Sequence, residues 1–482
     1  MHSDKATSYS PSVLIVGGGL AAMAAAISLR HKGFRVRILE SRRKLGGRVG
    51  SFEDNSSEKS IDYCQHVGMA CCTNLLWFLR TLEIEEHWDR ETILHFFSST
   101  GKHLPLEASW LPAPLHLSGL LSHWPGISIK DRVQIAWGLL KLMRLKTSRT
   151  LDDIPALEWL RSVGQTDHVI RRFWSTILVS ALGDQIDRVT LGATRKVLID
   201  GFAANREAYN LIIPRQPLSE LIGDRAAKAM ESMGIEIVYG TTVEQCQWKE
   251  HRCVSVVSRD GRAFKADHFV FAVPWHRLNR LIGDECDVQV LTQLQSAPIT
   301  GVHTWWDRAW LDAPHAILVD RLCQWVFKEP LQKFKDNRLA ETSLASNFVK
   351  KEHYYQIVIS GSRDLTRGNA PQVLEMIASD LAEVFPKAAD AKLLRGRVVT
   401  DPNSVFSVSP GHQRSRLPSD QFAQQNVWLA GDWTDTQWPA TMEGAIRSGV
   451  NAANSMGKLI LDQPNHVVDD LPKGRLARWL IA

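Results

Sequence analysis

A chain of 482 residues is long for one simple core, and its 44% hydrophobic content is that of a globular protein, so two domains are expected. The net charge of +5 comes from dispersed basic residues without a nucleic-acid motif, which excludes nucleic acid as a partner. Residues 1–11 are polar and lack the apolar core of a secretory signal, and the seven cysteines form no C-x-x-C, so a reduced cytoplasmic setting is expected. Cys71 and Cys72 beside His66 do not have zinc-ligand spacing, and no metal is expected.

Residues 13–16 form a short apolar run, as in a strand buried on both faces. Gly17 allows a tight turn, Gly19 lets a pyrophosphate approach the backbone, and Ala22 is small enough for close helix–strand packing. A helix over 20–30 would point the N–H groups of Leu20, Ala21 and Ala22, and its positive dipole end, at that pyrophosphate. Gly33 can end the helix in a left-handed conformation. Phe34, Val36 and Ile38 alternate as a second strand. Glu40 closes it, placed for ribose hydroxyls and against the extra phosphate of NADP, with Ser41 and Arg42 beside it. This is an ADP-binding βαβ unit, and the trailing Gly46-Gly47-Arg48 shifts the expected cofactor from nicotinamide to flavin. Residues 13–29 carry no charge, but their glycines and short length argue against a membrane span.

Residues 73–204 read as mainly helical, with a capped helix start at 151–160. Residues 205–275 return to α/β, with strands at 234–239 and 268–273 and with Val243 assigned to the cofactor. Residues 276–419 read as short strands mixed with helices. A buried strand at 427–430 leads into Gly431-Asp432 and a helix over 441–456. Asp432 suits the ribityl chain, and the N–H groups at Thr441 and Met442 suit the flavin C2 carbonyl, where they would stabilise negative charge on the reduced ring. The expected fold is therefore α/β. A Rossmann-like FAD-binding domain (1–72, 205–275 and 420–460) carries an inserted α+β substrate domain (73–204 and 276–419), followed by a tail at 461–482. Most of the seventeen tryptophans are expected in cores, and a few in a large apolar pocket.

The glycine turn with Glu40-Ser-Arg-Arg-Lys-Leu-Gly-Gly-Arg48, and Leu429-Ala-Gly-Asp432 with Glu443-Gly-Ala-Ile-Arg-Ser-Gly449, resemble the FAD-dependent amine oxidase and phytoene desaturase superfamily. Within it the chain resembles the hydroxysqualene dehydroxylases of hopanoid synthesis. That narrower match is carried by Ile61-Asp-Tyr-Cys-Gln-His-Val67, Pro112-Ala-Pro-Leu-His-Leu117, Pro214-Arg-Gln-Pro-Leu-Ser219, Gln324-Trp-Val-Phe327, Phe406-Ser-Val-Ser-Pro410 and 432–444. Three positions depart from the family pattern. Tyr63-Cys64 stands for Asn-Gly, and Gln437 for glycine.

The resemblance implies non-covalent FAD and a reductive removal of the hydroxyl of hydroxysqualene, giving squalene. It places Gln65 and His66 beside the flavin. Departing hydroxide needs a general acid, for which His66 comes first and Asp435 second. Trp325, Trp438 and Pro439 are expected in the substrate pocket, with indole faces for a cation-like centre. A long apolar isoprenoid would come from a membrane, so the apolar 115–124, the basic amphipathic 130–146 and the tail at 473–482 suggest peripheral contact at its inner face. No second dinucleotide fingerprint is present, so NADPH would visit transiently or a reductase would deliver electrons. Two alternatives stand: an oxidative flavoenzyme (carotenoid-type desaturase or amine oxidase), and a non-catalytic flavin or lipid-binding protein. The last cysteine, Cys323, precedes the flavin helix, which disfavours covalent attachment there.

Overall fold

The computed structural model describes residues 10–54, 59–124, 126–329, 352–365 and 368–482. The polar start at 1–9 and parts of the segments 1–72 and 276–419 lie outside the described residues. Strand β1 (Ser12–Val16) runs into helix α1 (Leu20–His31) and strand β2 (Arg35–Leu39). Strands β3 (Glu236–Val238), β4 (His268–Phe271) and β5 (Val427–Leu429) complete a parallel sheet of order β3-β2-β1-β4-β5. The order reverses between β1 and β4, so a crevice opens at the carboxyl ends of these two strands, where ligands of such sheets bind. Helix α2 (Met442–Leu461) packs along α1. A Cβ on Gly449 would lie 2.2 Å from the Ala21 carbonyl oxygen, so glycine is what lets the two backbones touch.

A second, seven-stranded sheet has Leu393–Phe406 and Ser296–Trp306 at one side, then His353–Ser360, Trp325–Lys328, His315–Leu318, Leu94–Phe97 and His103–Leu106. Val302, Trp306, Val326 and Tyr355 pack under the helix Ala370–Val384. Phe96 and Ile317 share a core with Trp124 and Phe173 of the helical layer. Leu14, Val16 and Phe269 of the parallel sheet join that same core, so the two units are not independent.

Residues 73–204 hold strands as well as their helices: Trp88–Glu91 pairs with Leu211–Pro214, and two strands from this segment form an edge of the large sheet. Leu94–Phe97 and His103–Leu106 pair locally as a hairpin, whereas the strands that fix Trp88–Glu91 and the hairpin in their sheets, Leu211–Pro214 and His315–Leu318, lie far along the chain. Leu75, Leu76, Phe78 and Leu79 of the helix Thr73–Thr81 pack with the nucleotide-side core. Among the described residues, 276–419 hold the two longest strands, of 11 and 14 residues. Ser296–Trp306 is buried on both faces, which erases the alternation that marks a half-exposed strand. The tail returns to the body. The Ala482 N–H donates to the Met143 carbonyl, and the Gly474 N–H to that of Ala204.

Candidate active site

The turn after β1 is built from side-chain absence. Gly17 has φ +103° and leaves no room for a Cβ, which would sit 2.6 Å from the Ala272 carbonyl oxygen. Glu40 is buried; one oxygen accepts the Gly18 N–H at 2.6 Å and the other the Arg42 N–H at 2.7 Å. Ser41 Oγ also donates to Glu40. The carboxylate thus braces the turn on one side and keeps further lone pairs for ribose hydroxyls. The Gly46 N–H donates to the Gly18 carbonyl, and Arg42 Nη1 to the Gly47 carbonyl, folding the Gly-Gly-Arg run back over the turn. The N–H of Gly240 donates to the Arg42 carbonyl and that of Thr241 to the Glu40 carbonyl, so Val243, buried at the start of its strand, lies just beyond this end of the crevice.

Gly19 tests whether a nucleotide fits. Its φ of −77° and ψ of 177° suit any residue, and a Cβ there would meet nothing of the protein within 4 Å. Neither backbone nor packing therefore explains the glycine. Helix α1 starts here without a side-chain cap and without an acidic residue in its first turn, although Leu20, Ala21 and Ala22 are buried. Buried N–H groups beside open space suit the pyrophosphate of a dinucleotide.

The second anchor comes from the far end of the chain. Arg48 Nη2 meets Asp432 Oδ1 at 2.6 Å, and Arg48 Nη1 donates to the Ser404 carbonyl. Asp432 is buried, and its pairing raises the pKa of the Arg48 guanidinium against the opposing effect of burial. The N–H of Gly431 is held by Ser448 of α2. Thr441 caps α2, its Oγ1 accepting the Gly444 N–H at 3.1 Å, which fixes Met442 as the first helical residue. The two motifs, some 380 residues apart, are joined by the Arg48–Asp432 pair into one crevice wall.

The run 62–67 is half-buried in the seam between this crevice and the large sheet. A Cβ on Gly301 would lie 2.7 Å from the Tyr63 carbonyl oxygen and 3.5 Å from the Cys64 side chain, so Cys64 is seated against a strand that gives way by being glycine. Burial pushes the Cys64 thiol up to about 12, and Asp62 adds to this. Burial also lifts Asp62 to about 6, against hydrogen bonds from Ser51 and the Leu218 N–H. Gln65 lies beside His66 in the same run. His66 Nδ1 is 2.9 Å from the Cys64 carbonyl oxygen; a carbonyl only accepts, so Nδ1 carries the hydrogen and Nε2 is the position that exchanges a proton. Burial lowers the His66 pKa below 6.5, the bond to Cys64 opposes this, and the charge of Arg48 adds to it.

Asp435 and Trp438 are each engaged by partners within the protein. Asp435 accepts from Arg149 Nη2 at 2.7 Å on one oxygen and from Gln413 on the other, so it ties the helical layer to the 413 turn. Trp438 is buried against Cys71 and Ala208, with Lys196 Nζ 4.4 Å and the Arg447 guanidinium 4.7 Å from its ring centroid. With cations already on the ring, the indole is not open to a substrate cation. Pro439 is buried beside it, its carbonyl accepting from Thr441 Oγ1. Trp325 is half-buried and stacks with Phe327, centroids 5.4 Å apart, on the sheet face that meets the helical layer.

Two further residues, Arg416 and the motif residue Glu443, have structural roles that the sequence does not indicate. Buried Arg416 donates from Nη2 to the carbonyls of Asp432 and Thr434 and to Thr436 Oγ1, holding the turn after Gly431. Buried Glu443 accepts from the N–H groups of Asn74 and Leu75, from Asn74 Nδ2 and from Arg447 Nε, which caps the helix Thr73–Thr81 and clamps it to α2. Arg416 works mainly through backbone carbonyls 16 and 18 residues on, and Glu443, beyond its i,i+4 pair with Arg447, through groups 368 and 369 positions away, so no local pattern signals either role. Among the described residues no cluster of side chains is suited to a metal.

The flavin containing amine oxidoreductase family model matches residues 20–456. The chain is 23% identical over 461 residues to a 15-cis-phytoene desaturase of Solanum lycopersicum, covering 92% of this chain and 77% of the relative. It is 25% identical over 480 residues to a zeta-carotene desaturase of Synechocystis sp., covering 92% and 96%. Among solved structures, a putative protoporphyrinogen oxidase from Exiguobacterium sp. 255-15 superposes with a TM-score of 0.66 at 16% identity, covering 94% of this chain and all of that one.

Proposed function

Since this chain belongs to the flavin containing amine oxidoreductase family and is an FAD-dependent oxidoreductase, we propose that it acts on a long apolar isoprenoid, reductively removing the hydroxyl of hydroxysqualene to give squalene. The observation that carries this reading is the 62–67 run. Its residues bear the narrower resemblance, and its His66 presents Nε2 as the one proton-exchanging position. Gly19, the start of α1, Glu40, Arg48, Asp432, Thr441 and Met442 would hold the cofactor. When bound and reduced, FAD supplies hydride chemistry at its N5. His66 Nε2 gives the proton with which the departing hydroxyl leaves as water, and the bond to Cys64 holds the ring in that orientation. Trp325 and Phe327 offer an apolar face to the isoprenoid chain. Electrons come from NADPH or a reductase.

A second reading is carotenoid-type desaturation. The names of the curated relatives favour it, as does the lowered pKa of His66, which leaves Nε2 free to accept a proton near neutrality. The two readings demand opposite protonation states, so pH separates them. Chemically reduced protein is mixed anaerobically with hydroxysqualene across pH 5–8. Reduction by an acid-form His66 gives squalene and flavin reoxidation at a rate falling about tenfold per pH unit above the His66 pKa. Loss of that limb in His66→Ala, with FAD retained, is the companion result. Squalene absent at every pH overturns the reductive reading. Oxidised protein that introduces double bonds, at a rate rising with pH, supports the desaturase. Full FAD content with no turnover of either kind leaves the binding-protein reading.

A further inference from the structure

We propose that the face formed by the helix Ile129–Arg144, the 110–123 segment and the chain's last dozen residues is a docking surface for an anionic lipid bilayer. The helix packs through Ile135, Gly138 and Leu142; a Cβ on Gly138 would lie 2.9 Å from the Trp174 ring. The opposite stripe is Ile129, Val133 and Trp137, at 75%, 65% and 48% exposure, three large apolar side chains one turn apart in water. Lys130, Lys141 and Arg144 flank this stripe on the same side, with Lys141 Nζ 4.5 Å from the Trp137 ring. Apolar centre and basic rim are the pattern of a helix lying in a membrane interface.

The neighbouring segments repeat it. Trp110 is 83% and Trp479 88% exposed, values that a core or an ordinary surface does not explain for the largest apolar side chain. Trp479 lies on the short helix Ala477–Leu480, tied to the amphipathic helix by the Ala482 N–H on the Met143 carbonyl and to the body by Arg195 Nη2 on the Ala482 carbonyl. Residues 129–146 carry five basic side chains and one acid, and residues 471–482 three basic and none acidic. That charge complements anionic headgroups. Between Trp110 and the tail opens a cleft of about 580 Å³, lined largely by apolar groups including Leu111, Ala113, Leu471 and Pro472. Among the described residues no helix is long and apolar enough to cross a membrane, so contact through this face is peripheral. The surface rests on geometry and charge alone; its service as the place where an isoprenoid is collected rests on the function proposed above.

The test is flotation of the flavin-loaded full-length protein with vesicles of phosphatidylglycerol and phosphatidylcholine, and with phosphatidylcholine alone. The protein is expected to float with the anionic vesicles. The Trp110→Ser/Trp137→Ser/Trp479→Ser variant should lower bound protein by about tenfold or more, and the Lys130→Glu/Lys141→Glu/Arg478→Glu variant likewise. FAD content and melting temperature of both variants should match wild type. In the unaltered protein, brominated lipid should quench part of the tryptophan fluorescence, a measurement that needs no variant. Wild type left at the bottom of the gradient, absent quenching, or a triple tryptophan variant that floats like wild type overturns the surface. Turnover of detergent-dispersed hydroxysqualene is measured in parallel. Its failure with intact flotation falls on the proposed reaction and not on the surface.

Discussion

Gly19→Val should separate cofactor binding from folding. The backbone at Gly19 is extended, with φ −77° and ψ 177°, a conformation that valine favours. A Cβ there meets nothing of the protein within 4 Å, so folding stability should change by no more than about 0.5 kcal/mol. The new methyl groups would instead fill space over the free N–H groups at the start of α1. Losing two charge-assisted hydrogen bonds to a pyrophosphate, at about 1.5–3 kcal/mol each, costs about 3–6 kcal/mol, a weakening of FAD binding by about 10²–10⁴-fold. Titrating apo-protein with FAD and following flavin fluorescence measures this, and thermal melts of the two apo-proteins measure stability. Gly18→Val is the contrast. Its Cβ would lie 2.6 Å from Leu45 Cδ2 and 2.7 Å from Glu40 Oε2, so this variant should lose stability as well as flavin. A Gly19→Val protein that binds FAD like wild type, or that does not fold, refutes the reading of this turn.

Gln437 is exposed and has φ +59°, where the related pattern has glycine; Gln437→Gly should raise stability by about 0.5–1 kcal/mol, the left-handed strain relieved less the entropy of glycine, and a lowered denaturation midpoint would count against it. Glu443→Ala removes the acceptor for two helix N–H groups and the Asn74 amide and takes one carboxylate from Arg447, so a loss of about 3 kcal/mol in chemical denaturation is expected, and a loss under 1 kcal/mol would show the clamp to be incidental. Burial lowers His116, His303 and His412 to about 4 and His315 to about 3. The unfolded chain, with ordinary histidines near 6.5, then binds more protons than the native state as pH falls, so stability is present above about pH 6.5 and is lost progressively towards about pH 4. Denaturation midpoints that stay flat from pH 7 to pH 4.5 would contradict this.

How much was legible depends on where each residue finds its partner. The βαβ unit could be read directly, since strand, turn, helix and acid lie within 36 residues and each is fixed by local sterics: Gly17 by its positive φ, Glu40 by the end of a buried strand. The Gly-Asp and α2 motif was equally plain, because Thr441 caps its own helix three residues on. The fold class, the cofactor and the family follow from these local patterns. What the sequence left open is long-range. Ser296–Trp306 hides its strand character by being buried on both faces. Asp435 reads as a free acid beside the flavin motif until Arg149, 286 positions away, is brought against it. Trp438 reads as an open aromatic face until Lys196 and Arg447 come to lie against it. Arg48 and Asp432 each carry a recognisable motif, and only the packing of α1 on α2 through Gly449 makes one crevice of them. Local steric and periodic rules determine which segments have the build of a dinucleotide site. Which polar side chains remain free for chemistry is decided by desolvation and pairing between segments that only the tertiary structure brings together.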